Sequence, residues 1–262
     1  MPIHATALID PKAKLDSSVE IGPFAIIGPH VQIDSGTVIG PYASVLGHTT
    51  MGKNNRVFQH AVIGGPPQDK KYAGEPTTLQ IGDGNTFREC VTISTGTIQD
   101  KGITRVGNDN WLMAYSHVGH DCQVGNHTVL ANSVALAGHV VLGDYVILGG
   151  LAAVHQFVRV GAYAMAGGGS IILQDVPPFV LCQGYPATPR GLNIEGLKRR
   201  GFASQTVVQL KQAYKLLYRD GLSFEAAKQA IERLRAEADT ESEPYIALLC
   251  AHLAEASRGV IR

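Results

Sequence analysis

The sequence predicts a parallel β-helix followed by a small helical domain. Three observations carry that prediction: an aliphatic residue at every sixth position, a small residue two places before it, and a change of period near residue 178. From Ile3 the sixth residues read Ile9, Leu15, Ile21, Ile27, Ile33, Ile39, Val45, Met51, Val57 and Ile63. The phase returns at Ile81, Phe87 and Ile93 and slips by one residue. It then runs from Val106 through Leu112, Val118, Val124, Leu130, Leu136, Leu142, Leu148, Val154, Val160 and Ala166 to Ile172. A repeat of this length decides the fold before any local propensity does.

Each part of the hexad has its own reason. Ala7, Ala13, Val19, Ala25, Val31, Thr37 and Ala43 stand two residues before an aliphatic position. That spacing puts both side chains on one face of a short strand. Gly, Asp, Asn or Ser often follows, as in Ile21-Gly22 and Ile39-Gly40, which suits a corner. Three hexads close a coil of 18 residues. Coils stack at about 4.8 Å, each burying its aliphatics against the next.

Two segments break the period, residues 65–80 (GPPQDKKYAGEPTTLQ) and 95–105 (TGTIQDKGITR). Asp69 and Glu75 would fall on inward positions, so the first segment is expected as an extruded loop, not a coil. Long loops on a compact scaffold usually carry function. The repeat stops near Asp175-Val176-Pro177-Pro178. Residues 204–219 and 223–238 then read as amphipathic helices, each opened by a Ser N-cap, with a third helix near 243–257. The expected division is a β-helix over 1–189 and a helical domain over 190–262.

Bulk properties narrow the partners. The chain carries 22 basic and 22 acidic residues, which gives no global case for nucleic acid or a membrane surface. No apolar run approaches the roughly 18 residues of a spanning helix, and MPIHATALIDPKAKL does not read as a leader. Cys90, Cys122, Cys182 and Cys250 show no CxxC spacing, so reduced thiols in a cytoplasm are expected. Cys122, two residues before Val124, falls on an inward small position and reads as core filler, not as a nucleophile.

None of the nine histidines within the repeat falls on an inward position. One face carries Ile9, Ile27, Val45, Ile63, Ile93, Val118, Leu136, Val154 and Ile172, with His30, His48, His117, His120, His139 and His155 beside them. Both extruded loops leave from that face, after Ile63 and Ile93. His127 falls on another face and reads as a polar corner residue. Convergent outward histidines serve either acid–base work, since imidazole titrates near about 6.5, or a metal site.

Specific strings go further. HVGHDCQVGNH (117–127), ALAGHV (135–140), VHQFVRVGA (154–162), QDVPPF (174–179), QDKKYAGEPT (68–77), NIEGLKRRGF (193–202) and the final RGVIR closely resemble the bacterial UDP-N-acetylglucosamine O-acyltransferase family of lipid A biosynthesis. The hexad alone resembles the wider hexapeptide-repeat acyltransferases, whose β-helix is left-handed. The resemblance implies a cytoplasmic homotrimer with active sites in the clefts between subunits. It implies transfer of a 3-hydroxyacyl chain from acyl carrier protein to the 3-hydroxyl of UDP-N-acetylglucosamine, without cofactor, metal or covalent intermediate.

By position, His120 resembles the general base, Asp121 its orienting carboxylate, and the Gly138 N–H the oxyanion donor. His117, His139, His155, Gln156 and Gln68 match substrate contacts. Asp69 and Lys71 match residues that reach the substrate from a neighbouring subunit. Asn193, Glu195, Arg199 and Arg200 match the nucleotide and phosphate contacts, and Arg suits that role by its planar fork. Gly168 matches the position that limits acyl length, and a glycine there implies a long chain of the 3-hydroxymyristoyl type. From Lys198 to Arg219 six residues are basic and none acidic, which favours an acidic partner such as the carrier protein.

There are departures. TISTGT stands where the family often has TIHRGT, placing Ser94 at a common histidine position. Acylation of a 3-amino sugar nucleotide therefore stays open. Pro66-Pro67 ahead of Gln68 is also unusual and stiffens the loop. The rivals are a zinc-dependent hydratase resembling γ-class carbonic anhydrases on the same fold, and a non-catalytic binding scaffold. A third is the related N-acyltransferase, whose family carries a separate domain before its repeats.

Overall fold

The computed structural model describes residues 3–256 and 259–262. Residues 1 and 2 of the expected first domain, residue 257 of the expected third helix and Arg258 of RGVIR lie outside the described residues. The described residues form a left-handed β-helix of three sheets with nine, eight and ten strands, parallel throughout except for the last strand of the third. Sheet 1 runs from Leu8–Ile9 to Ile171–Ile172, and sheet 2 from Lys14–Leu15 to Arg159–Val160. Sheet 3 runs from Glu20–Ile21 to a closing hairpin. The register of sheet 1 stacks Ile63 on Ile93, Ile93 on Val118 and Val118 on Leu136, the face expected from the hexad.

The inward aliphatics carry the stability. Val45, Ile63, Leu112, Leu136 and Leu148 are fully buried. Each contributes roughly 1.5–3 kcal/mol over exposure to water. One inward row is polar: Asn55, Asn85, Asn110 and Thr128 lie buried one above another. The Asn85 backbone N–H and side-chain amide donate to Asn55 Oδ1, and Asn110 donates to Asn85 Oδ1 in the same way. Every polar group in that column therefore has a partner, which removes most of the cost of burying it.

The corners turn about three residues after the aliphatic position. Many are turned by non-glycine residues at positive φ, among them Tyr42 (59°), Asp121 (60°), His139 (63°), Tyr145 (61°) and Phe157 (64°). That conformation costs a side-chain-bearing residue about 1–2 kcal/mol. Stacking along the prism edge offsets the cost: His127, Tyr145, Tyr163 and Phe179 form a continuous ladder with centroids 4.7, 4.9 and 5.6 Å apart.

Both interruptions leave sheet 1 as expected, and neither replaces a hexad. Val62–Gly65 continues through the first loop to Thr78–Ile81 in sheet 2, and Thr92–Ser94 through the second to Ile103–Val106. The loops are shorter than the broken period suggests, because their ends join these strands. Thr77 Oγ1 donates to Thr95 Oγ1 at 3.1 Å and ties the two loops together.

The expected division at 189/190 falls inside a strand. Val180–Gly184 extends sheet 3 and pairs antiparallel with Ala187–Leu192, a hairpin absent from the sequence reading. Four helices follow: α1 (Ile194–Arg199), α2 (Ser204–Tyr218), α3 (Phe224–Ala236) and α4 (Glu243–Ala254). Ser223 caps α3 by accepting from the Ala226 N–H. Ser204 is instead the first residue of α2, behind an Ala203 cap that makes no side-chain bond. The helices close a second core around Leu197, Leu210, Leu217, Ile231 and Leu253. The chain then returns to the prism, where the Asp175 N–H donates to Gly259 O and the Ile261 N–H to Asp175 O.

Candidate active site

The corner between sheets 1 and 2 gathers the site. A cavity of about 810 Å³ is lined by residues of both loops and of three successive coils. His120 and Asp121 turn the first of those corners, Gly138 and His139 the second, and Gln156 and Phe157 the third. Asp121 is fully buried at its carboxylate, while His120 is 16% exposed.

Adjacent residues would ordinarily point apart, but the positive φ of Asp121 folds its carboxylate back under the ring of His120. His120 Nδ1 and Asp121 Oδ2 are 2.8 Å apart. Asp121 already accepts from the Thr97 N–H and from the Thr97 hydroxyl at 2.6 Å, so Nδ1 carries the proton of the His120 contact. The Nε2 lone pair is then available on the cavity side. Gly138 admits the ring: a Cβ there would sit 2.5 Å from His120 Cε1 and 2.6 Å from Nε2. The Gly138 N–H donates to no acceptor among the described residues.

Three other histidines differ in setting. His139 stacks on Phe157 at 4.3 Å, places Nδ1 2.9 Å from Asp100 Oδ2, and brings Nε2 within 4.0 Å of Asp121 Oδ2. His117 shares a 2.8 Å hydrogen bond with the Thr92 hydroxyl. Burial, then the charge of nearby His120, pushes its pKa below the ordinary histidine value. His155 stands exposed one residue before Gln156, off the cavity lining.

Other expected residues divide by position. Gln68, Asp69, Lys71 and Ser94 line the cavity of their own chain. Asn193, Glu195, Arg199 and Arg200 do not line it. Asn193 is buried, accepts from the Gly196 N–H and donates to Tyr163 O, capping α1. Arg200 lies over the Tyr145 ring, on the corner between sheets 2 and 3. Sheet 2 separates the two corners in one chain. Gly168 is exposed on the third corner, between sheets 3 and 1. His30 and His48 stack on each other at 4.2 Å, away from the cavity.

Cys122 is buried, and burial pushes its thiol up to about 12, which suits core filler and not a nucleophile. Sequence reasoning passed over Thr97, Gln99, Asp100 and Phe157. The loop residues follow no period, and Phe157 reads locally as an ordinary corner residue.

A carboxylate-oriented imidazole facing a cavity on a stack of hexads defines a hexapeptide-repeat transferase. The comparisons agree and sharpen this. Residues 103–138 match the bacterial transferase hexapeptide profile, and residues 175–261 match the second domain of UDP N-acetylglucosamine O-acyltransferase. The acyl-[acyl-carrier-protein]–UDP-N-acetylglucosamine O-acyltransferase of Paracidovorax citrulli is 61% identical over 260 residues, 99% of each chain. Its counterpart in Paraburkholderia phymatum is 55% identical with the same coverage. LpxA of Acinetobacter baumannii superposes with a TM-score of 0.95 at 45% identity, covering 100% of both chains. The UDP-N-acetylglucosamine O-acyltransferase of Moraxella catarrhalis gives 0.96 at 44%, again over 100% of both. This chain belongs to the acyl-[acyl-carrier-protein]–UDP-N-acetylglucosamine O-acyltransferase family, and it is an acyltransferase.

Proposed function

We propose that this acyltransferase moves a 3-hydroxyacyl chain from acyl carrier protein to the 3-hydroxyl of UDP-N-acetylglucosamine, the opening step of lipid A biosynthesis. The observation that carries the proposal is His120, held by Asp121 with Nε2 open to the cavity. Nε2 takes the proton of the sugar hydroxyl as its oxygen attacks the thioester carbonyl. The Gly138 N–H stabilises the oxyanion of the tetrahedral intermediate. Collapse breaks the C–S bond, and the proton returns from Nε2 to the departing thiolate. No covalent enzyme intermediate forms, and no cofactor takes part.

His117, His139, His155, Gln156, Gln68, Asp69 and Lys71 bind the acceptor sugar and the acyl hydroxyl. Asn193, Glu195, Arg199 and Arg200 bind the nucleotide for the cavity of an adjacent copy, in a cytoplasmic homotrimer. Their place across sheet 2 from His120 supports this reading. Exposed, side-chain-free Gly168 leaves room for a long acyl chain. The carrier protein docks on the basic side of α1 and α2, where Arg199 and Lys211 are exposed.

An acyl-transfer assay decides the reading. It offers 3-hydroxyacyl carrier proteins of graded chain length with UDP-N-acetylglucosamine or its 3-amino analogue. The expected product is the ester of a long 3-hydroxyacyl chain. Exclusive amide formation on the analogue would move the acceptor to a 3-amino sugar. His120, Asp121 and His139 also place one donor atom each within 4.8 Å of one another, as a metal site would. Stoichiometric zinc whose removal abolishes turnover would overturn the metal-free mechanism.

A further inference from the structure

We infer that the loop of residues 95–102 is the positioning element of the catalytic corner, with Thr97 holding Asp121 and Asp100 holding His139; this rests on the acyl-transfer reading above. The loop is an addition to the scaffold. Ile93 and Val106 are consecutive inward positions of sheets 1 and 2, yet 13 residues apart where a hexad uses 6. The added residues close on themselves. The N–H groups of Asp100 and Gly102 both donate to Thr97 O. The base is pinned by the Thr95 N–H to Gly65 O and by the Thr78 N–H to Gly102 O. Gly96 has no room for a side chain, since a Cβ would lie 2.1 Å from the Ile103 nitrogen.

What this closed turn presents is specific. Thr97 is buried and spends its N–H and its hydroxyl on the one carboxylate that orients His120. Asp100, three residues on, reaches the ring that faces it. His120 and His139 meet edge-to-face at 5.0 Å, so the loop supplies one support to each side of the pair. Without Thr97, Asp121 would keep only the His120 contact and the distant His139 nitrogen on its carboxylate. It could then rotate and carry the base with it. Thr97 and Asp100 are positioning residues, acting through Asp121 and His139.

The test compares Thr97→Val, Thr97→Ser and Asp100→Asn in the full chain. Thermal unfolding establishes that each variant folds. Thr97→Val keeps the shape and removes the hydroxyl. Its kcat should fall about 10- to 100-fold with KM little changed, as expected when a reacting group is misplaced by a fraction of an ångström. Thr97→Ser, which restores the hydroxyl, should recover most of the loss. Asp100→Asn should lower kcat about 10-fold through misorientation of His139. NMR of ¹⁵N-histidine-labelled protein without substrate gives the second readout. The His120 Nδ1 proton should shift in Thr97→Val and stay in place in Thr97→Ser.

Wild-type kcat and unmoved ring signals in Thr97→Val would overturn the inference. Lost activity matched by lost thermal stability, with the ring signals unmoved, would also overturn it by making the role merely structural. Failure of the acyl-transfer reading would appear separately, as an inactive wild type, and leaves the ring comparison intact.

Discussion

His120 and His127 sit on neighbouring corners of one coil, and each has an aspartate beside it. On the first corner Nδ1 lies 2.8 Å from Asp121, with the ring 16% exposed and the carboxylate fully buried. On the second, Nδ1 lies 3.8 Å from Asp109, with side chains 43% and 57% exposed. An exposed pair of the second kind contributes at most about 1 kcal/mol. Backbone strain does not separate them, since Asp121 has a φ of 60° and His127 one of 55°. Neither does stacking, because His127 lies on Tyr145 much as His139 lies on Phe157. What differs is the inserted chain. Only the first corner receives two loops, which wall a cavity and bring Thr97 to the carboxylate. A corner of this fold becomes a site when something is built over it.

The comparison can be broken most directly by removing each ring. His120→Ala should lose about 10²–10⁴-fold in kcat, the range for a lost general base, with the fold intact. His127→Ala should stay near wild type in the same assay. Similar losses in both variants would remove the distinction. Gly138→Ala sharpens it from the other side. Its methyl would meet the His120 ring and displace the base, so kcat should fall about 100-fold without loss of expression or folding. Unchanged kinetics would mean that the ring has another resting place.

A smaller effect separates pH-dependent stability from pH-dependent catalysis. His252 of α4 is buried, and its Nε2 has no hydrogen-bond partner among the described residues. Burial, with Arg159 adding to it, pushes the pKa down to about 4. A lowered folded-state value means the unfolded chain binds the proton first. Stability is therefore fully present above about 6.5 and is lost as pH falls toward 4, by up to about 3 kcal/mol. His252→Leu should reduce the difference in unfolding free energy between neutral and acid pH by that order. Chemical denaturation at both pH values measures it, and equal acid sensitivity in the variant would refute the assignment. The group lies off the catalytic cavity, so its titration should leave kcat at neutral pH unchanged.

Legibility in the sequence followed how local each cause was. The hexad acts within six residues, and so the face from Ile9 to Ile172 could be read and appears as sheet 1. Because the repeat resumes after both interruptions, with a slip of one residue at the second, the corner bearing His117, His120 and His139 was readable too. Thr97 and Asp100 were not, since their partners lie 24 and 39 residues away and no period links them. Asn85 and Asn110 look misplaced on inward positions until the neighbouring coils supply their partners. The hairpin Val180–Leu192 and α1 escaped for a related reason. Both lie where the six-residue period has ended and no long amphipathic pattern has begun. His30 and His48 share the sequence phase of the site but sit on lower coils, out of reach of either loop.

The return of the chain to Asp175 bears on how such molecules meet one another. A stack of coils has a growth axis, because its last rung displays backbone groups on which another strand could be laid. At this end part of the rung is occupied. Met165–Ala166 carries the hairpin, and Asp175 exchanges hydrogen bonds with Gly259 and Ile261. Arg262 fastens that segment to the carbonyls of Leu217 and Leu222. That end of the prism is thereby covered in part by the chain's own last residues, and fewer of its backbone groups are left to receive a strand from another copy.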